Sequence, residues 1–248
     1  MKTNWKIALM CITMLAMIAC KPKNPADQPG GEGGESMFDY IPPIAINDKS
    51  VADWDKLDKS KVSEATCANL PYFPGLKKMK VYADSVCIFY MLEYDPQEMA
   101  SHTDVDGMHI YINADNNTET GGFWDLFAPI NKGDVDIMFE GALWDADGNE
   151  LSYTPTFSTW SGQTNGEGWL WAEKPVSNKV AGSQLVGDNI IEGRLVLELI
   201  PFTFDKVAFE IGVDIYQNFE SVGLLPQGDR PDGDHIGRAK KLYVKFDK

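Results

Sequence analysis

From Met108 to Asp115 every second residue is apolar: Met108, Ile110, Ile112 and Ala114 alternate with His109, Tyr111, Asn113 and Asp115. A period of two is the period of an extended strand, whose side chains point to opposite faces, so this stretch has one core face and one polar face. The same rhythm returns at 80–83, 86–94, 135–143, 193–200, 208–216 and 242–246, with Gly, Asp and Pro turns between the runs. In the run at 208–216, Phe209, Ile211, Val213 and Ile215 face inward and leave Glu210, Asp214 and Tyr216 facing out. Asp84-Ser85 sits between two of the runs as the turn of a hairpin. Sheets that are apolar on one side bury that side only against each other, so the expected fold is all-β, a two-sheet antiparallel β-sandwich. No stretch predicts a long helix, and no internal repeat is visible.

Length and charge narrow the function. At 248 residues with 44% hydrophobic side chains the chain has enough apolar surface for a core, and one sandwich accommodates about this length without a second domain. A formal net charge of −15 repels a phosphate backbone, which excludes nucleic acid as an expected partner.

Lys2 and Lys6 precede an uncharged apolar run at 7–19 that is too short to span a bilayer as a helix, the layout of an export signal over residues 1–19. The run ends Met17-Ile18-Ala19-Cys20, which resembles the lipobox at which bacterial lipoproteins are cleaved and lipidated, and this implies Cys20 as the anchor. Lys21 rather than an aspartate follows; by the same resemblance the destination is the outer membrane, in either leaflet. Cleavage removes two positive charges and no negative one, so the exported part is the acidic part. Residues 20–37 are rich in Pro and Gly and hold almost no apolar surface, so they read as a tether with a reach of roughly 20–25 Å. Residues 38–248 are then the single sandwich domain.

Asp53-Trp54-Asp55, the hairpin VYADSVCIFYMLEY, the strand and loop HIYINADNNTETGG, the strand VDIMFEG and the run GDNIIEGRLVLELIP together resemble the family 9 carbohydrate-binding modules and their DOMON-like relatives. The likeness spans most of 45–248. It implies a jelly-roll sandwich of the carbohydrate-binding type and, in the loop after Asn113, a structural Ca²⁺ held by Asp115, Asn117 and Glu119. Read from residue chemistry alone, those oxygens suit a hard cation, and equally the turns that Asp, Asn and Gly make unaided.

Aromatic side chains supply the second candidate set. Trp169-Leu170-Trp171, as a strand, puts two indoles on one face about 7 Å apart, a platform for a pyranose ring or a pair of core residues. Trp124 and Trp160 lie in Gly, Ser and Thr-rich segments, where loop positions and sugar contact are expected. Glu210, Asp214 and Tyr216 would supply polar partners for hydroxyls; as a catalytic carboxylate pair the run from Glu210 to Asp214 fails in register, with Gly212 at its middle, and a solvated strand face explains it better. His102, His109 and His235 are dispersed, no HExxH or GxSxG occurs, and no marked axial pair points to haem. Cys67 and Cys87 are the cysteines left beyond the anchor, and they stand as a disulfide or as separate thiols. The expected function is therefore non-catalytic glycan binding by a membrane-anchored envelope protein. A glycan-degrading sandwich enzyme and a structural subunit with an envelope protein partner are the alternatives.

Overall fold

The computed structural model describes residues 40–67, 74–99, 107–117, 119–122, 134–145, 147–151, 153, 155–160, 169–171, 181–200, 202–218, 220–227 and 241–248. Among them are twelve strands: β1 (Ser63–Thr66), β2 (Leu76–Ala83), β3 (Cys87–Tyr94), β4 (Gly107–Asn113), β5 (Ile137–Ala142), β6 (Thr156–Trp160), β7 (Trp169–Trp171), β8 (Ala181–Val186), β9 (Ile190–Val196), β10 (Ala208–Gln217), β11 (Glu220–Leu225) and β12 (Leu242–Lys245). The helical pieces among the described residues are 3-10 turns of three to five residues. None is long and apolar enough to cross a membrane.

Every ladder is antiparallel. The smaller sheet runs β1-β2-β3-β9-β8, and the larger runs β11-β10-β4-β5-β6-β7 with β12 also paired to β10. β10 takes β4 along one edge and shares its other edge, with β12 on residues 208–211 and β11 on residues 213–217. The inner faces close on one core, with Met79, Val81, Ile88, Leu92 and Ile191 from one sheet against Ile110, Ile112, Phe139, Phe209 and Val213 from the other. The fold is the two-sheet sandwich that the alternation predicts.

The expected hairpin is present: β2 and β3 pair across a turn in which Asp84 Oδ1 accepts the backbone N–H groups of Val86 and Cys87, each at 2.8 Å. Cys67 and Cys87 are separate thiols. Cys67 N–H bonds to Lys77 O at the start of β2, whereas Cys87 O accepts from Asp84 just past its end. The seven steps from Lys77 to Asp84 span roughly 23 Å in a strand, against Cα separations of about 4.4–6.8 Å in a bridge.

Both ends of β2 also touch the other sheet. At its start Gly75 N–H donates to Val222 O at 2.8 Å, and a Cβ on Gly75 would lie 2.7 Å from that same oxygen, so the approach requires glycine. At its far end Asp247 N–H donates to Ala83 O, and the Asp247 carboxylate takes Lys61 Nζ at 2.7 Å and Tyr82 OH at 3.1 Å.

The outward face of the smaller sheet is covered by the segment that precedes β1. Trp54, in the 3-10 turn Ala52–Lys56, donates its indole N–H to Glu192 Oε1 at 2.6 Å, and Gln184 donates to Glu192 Oε2 at 2.6 Å. Glu192 is fully buried, and burial raises its pKa against the pull of these two donors. Trp54 therefore belongs to the structure of the domain. Trp54→Phe and Glu192→Gln should each lower the unfolding free energy by about 1–3 kcal/mol, because each leaves a buried polar group without its partner. Urea titration of the two variants measures this.

Candidate functional site

With Phe209, Ile211, Val213 and Ile215 in the core, Glu210, Asp214 and Tyr216 project from the outward face of the larger sheet. The register sets what lies beside them: Asp214 opposes His109, Glu210 opposes Asn113, and His109 in turn opposes Glu140 on β5. A polar row results. Ser221 Oγ donates to Asp214 Oδ2 at 2.6 Å, Asp214 Oδ1 meets His109 Nδ1 at 2.9 Å, and His109 Nε2 lies 3.4 Å from Glu140 Oε1. Asp214 is 1% exposed, so the expected solvated strand face is corrected: the carboxylate is covered and fully engaged.

The imidazole is also held by aromatic rings. Tyr216 stacks on it with centroids 4.5 Å apart and planes 23° apart, and Tyr111 lies at 5.6 Å on a tilt. Gly107, opposite Tyr216, permits the stack, since a Cβ there would stand 2.6 Å from the Tyr216 hydroxyl. Burial alone would strip the proton from His109. The charges and hydrogen bonds of Asp214 and Glu140 outweigh it and raise its pKa to about 9, while His109 holds the Glu140 carboxyl below its usual range. The centre of this face is a histidine clamped between the carboxyl groups of Asp214 and Glu140.

Toward the other end of β4 the partners change. Asn113 is fully buried and donates its Nδ2 to Glu210 Oε2 at 3.1 Å, while its Oδ1 has no hydrogen-bond partner among the described residues. The buried Ser158 Oγ on β6, outward because Phe157 packs on the core, is likewise without one. Asp136 closes the end of β4 by accepting the backbone N–H groups of Ala114 at 2.8 Å and Asp115 at 3.3 Å. Burial pushes its carboxyl up to about 6, opposed by the Ala114 N–H and helped by the charges of Asp115 and Asp134.

Trp160 is the last residue of β6 rather than part of a loop, and it is half-buried, with its N–H bonded to Asp136 O. It shares the outward face with Ser158, two residues back. Trp169 and Trp171 end β7, in register with Trp160 and Ser158, and only the backbone of that strand is described. Trp124 and Cys20 lie outside the described residues. Tyr243 went unmarked in the sequence. On β12 it opposes Glu210 on this same face and is 44% exposed, an accessible ring beside a carboxylate. The alternation of Tyr243 with Leu242 and Val244 was a readable signal, but its neighbour across the ladder was not.

In the loop after β4, Asp115 Oδ1 accepts from Asn117 N–H at 2.9 Å, Asp115 Oδ2 from Thr120 Oγ1 at 2.7 Å, and Asn117 Oδ1 from Glu119 N–H at 3.0 Å. These side chains close the turn on themselves. Among the described residues no three or more His, Cys, Asp or Glu side chains gather in a way that could hold a metal ion. Comparison with known proteins adds no name to the site: no protein-family model, no curated protein and no solved structure matches the chain.

The charge state of His109 gives a stability test. Its pKa in the fold lies above the 6.5 of an unperturbed imidazole, so its contribution is complete below about pH 6.5 and is lost as pH rises through about 9. Unfolding free energies measured across that window should fall by about 3 kcal/mol, and His109→Gln should flatten the fall.

Proposed function

We propose that the protein is a lipid-anchored envelope protein whose sandwich binds a glycan, without cleaving it, on the outward face of the larger sheet. The observation that carries the reading is the placement on one face, by the register of the ladders, of a half-buried indole, Trp160, and the part-exposed carboxylate of Glu210. A sugar ring has a weakly apolar face and a rim of hydroxyls. An indole suits the first, and amides and carboxylates suit the second. The resemblance to family 9 carbohydrate-binding modules adds to this reading.

Hydrolysis draws no support from the pair Asp214 and Glu140. A glycosidase leaves room for the scissile bond between its two carboxyl groups, spaced about 5–9.5 Å apart. Between Asp214 and Glu140 that space is filled by the His109 ring, which meets an oxygen of each. The structural Ca²⁺ of the loop 115–119 remains part of the proposal. If it is bound only by the folded protein, saturating Ca²⁺ raises the melting temperature over that in excess chelator, and an unchanged curve removes it.

Hydroxyls exchange water for protein with little net gain, so affinity on the order of 10 µM to 1 mM is expected, roughly 4–7 kcal/mol. On a glycan array Trp160→Ala should abolish binding of the best ligand while the melting temperature falls by no more than a few degrees. A broad array without any binding would move the envelope-subunit reading ahead. The anchor has its own test: Cys20→Ser should leave the protein in the soluble fraction of lysed cells, and equal membrane retention of mutant and wild type would remove the lipid.

A further inference from the structure

At one end of the sandwich, beside the turn between β2 and β3, four segments leave a cleft of about 270 Å³. Its apolar lining is Leu197 from the 3-10 turn Leu197–Leu199, Phe204 from the chain that leads into β10, and Phe246 from just past β12. The core holds the two phenyl rings in place. Phe246 lies 5.1 Å from the ring of the fully buried Phe209, and Phe204 meets Phe209 at 5.9 Å and Phe246 at 6.3 Å, both edge-on. Backbone hydrogen bonds fix the segments that carry them: Leu197 N–H to Val86 O at 2.9 Å, Asp205 N–H to Ala114 O at 2.7 Å, Phe246 N–H to Val207 O at 3.0 Å and Asp247 N–H to Ala83 O at 2.7 Å. The cleft therefore exists before a ligand arrives, the condition under which ordering costs a binder least.

The rest of the lining is polar, and its two carboxylates are committed. Asp205 Oδ1 accepts the N–H groups of Val207 at 2.6 Å and Ala208 at 3.0 Å, and these bonds, with a weaker pull from Lys248, hold its carboxyl below the usual range. Asp247 is paired with Lys61 at 2.7 Å and accepts from Tyr82 OH at 3.1 Å. Lys206 and Lys248 are exposed and make no hydrogen bond or ion pair among the described residues. What the lining leaves uncommitted is thus two ammonium groups and the Ser85 hydroxyl. A sugar would lose the water on its hydroxyls against Leu197, Phe204 and Phe246 without finding a partner there, and a cation would meet two like charges. The net charge of −15 opposes an anion at long range only, since at physiological salt the Debye length is about 8 Å. At about 270 Å³ the cleft is just under the ~300–1,000 Å³ usual for small-molecule pockets, which suits one ring or a short branched chain.

We propose that this cleft is a binding site for a small apolar carboxylate, an aromatic or branched aliphatic acid whose hydrocarbon part lies on Leu197, Phe204 and Phe246 and whose carboxylate is met by Lys206 and Lys248. No residue of the cleft belongs to the glycan reading, so the two stand or fall separately.

Titration calorimetry on the purified full-length protein at physiological salt tests this, with phenylpropionate, indoleacetate and isocaproate, the alcohol and the amine that match each, and acetate as an anion without an apolar body. At least one of the three acids should bind at least tenfold more tightly than its alcohol, its amine and acetate. Lys206→Glu combined with Lys248→Glu changes exposed side chains only, so it should leave the melting curve in place and reverse the order, with the amine binding best. Phe246→Ala should lose the acid, and if that variant does not fold, the charge reversal decides alone. Acid, alcohol and amine binding alike, an order unchanged in the double variant, or no binding of any of the three acids at millimolar concentration overturns the site.

Discussion

Burying Phe209, Ile211, Val213 and Ile215 between two sheets obliges Glu210, Asp214 and Tyr216 to face the other way. The obligation is geometric, since a strand cannot turn two consecutive side chains to one side without a bulge. It repeats on β4, where Ile110 and Ile112 in the core put His109, Tyr111 and Asn113 outside. The polar face is thus assembled by the same contacts that close the core, and its composition depends on register alone. A slip of one residue between β4 and β10 would exchange the two sets.

That face is held by charge as well as by the ladder. Asp214 is 1% exposed and has two hydrogen-bond partners, His109 and Ser221. His109 is the cation that lets two carboxylates approach the middle of one sheet, and Tyr216 lies flat on it because Gly107 leaves the space. The surrounding row differs in kind. Around His109 the polar contacts satisfy one another, whereas at Asn113 the amide is satisfied on one side only among the described residues. A rigid centre beside an incompletely satisfied flank is the division expected between a support and a contact surface.

How much of this was legible follows from where the information lies. β4, β10 and β12 announce themselves through alternation, and β2, β3, β5 and β9 through short runs rich in apolar residues between turn residues. β6 does not, because TFSTW in a Gly, Ser and Thr-rich setting has the composition of a loop; pairing with β5 makes it a strand. β8 and β11, reading AGSQLV and ESVGLL, are as weakly patterned and are likewise fixed by their neighbours. In the site, the outward direction of Glu210, Asp214 and Tyr216 was readable from period two. The burial of Asp214 was not, since it depends on His109, 105 residues away in sequence, and on Ser221 from the next strand. Tyr243 escaped notice for the same reason.

The attachment of β2 to both sheets bears on how the molecule comes apart. Its start is tied to β11 through Gly75 and its end to the chain beyond β12 through Asp247, while its length is paired to β1 and β3. Neither sheet can peel away without first releasing this strand. The two layers should therefore open together, and the amide protons of β2 should be among the last to exchange with solvent, in step with global unfolding rather than with local fraying.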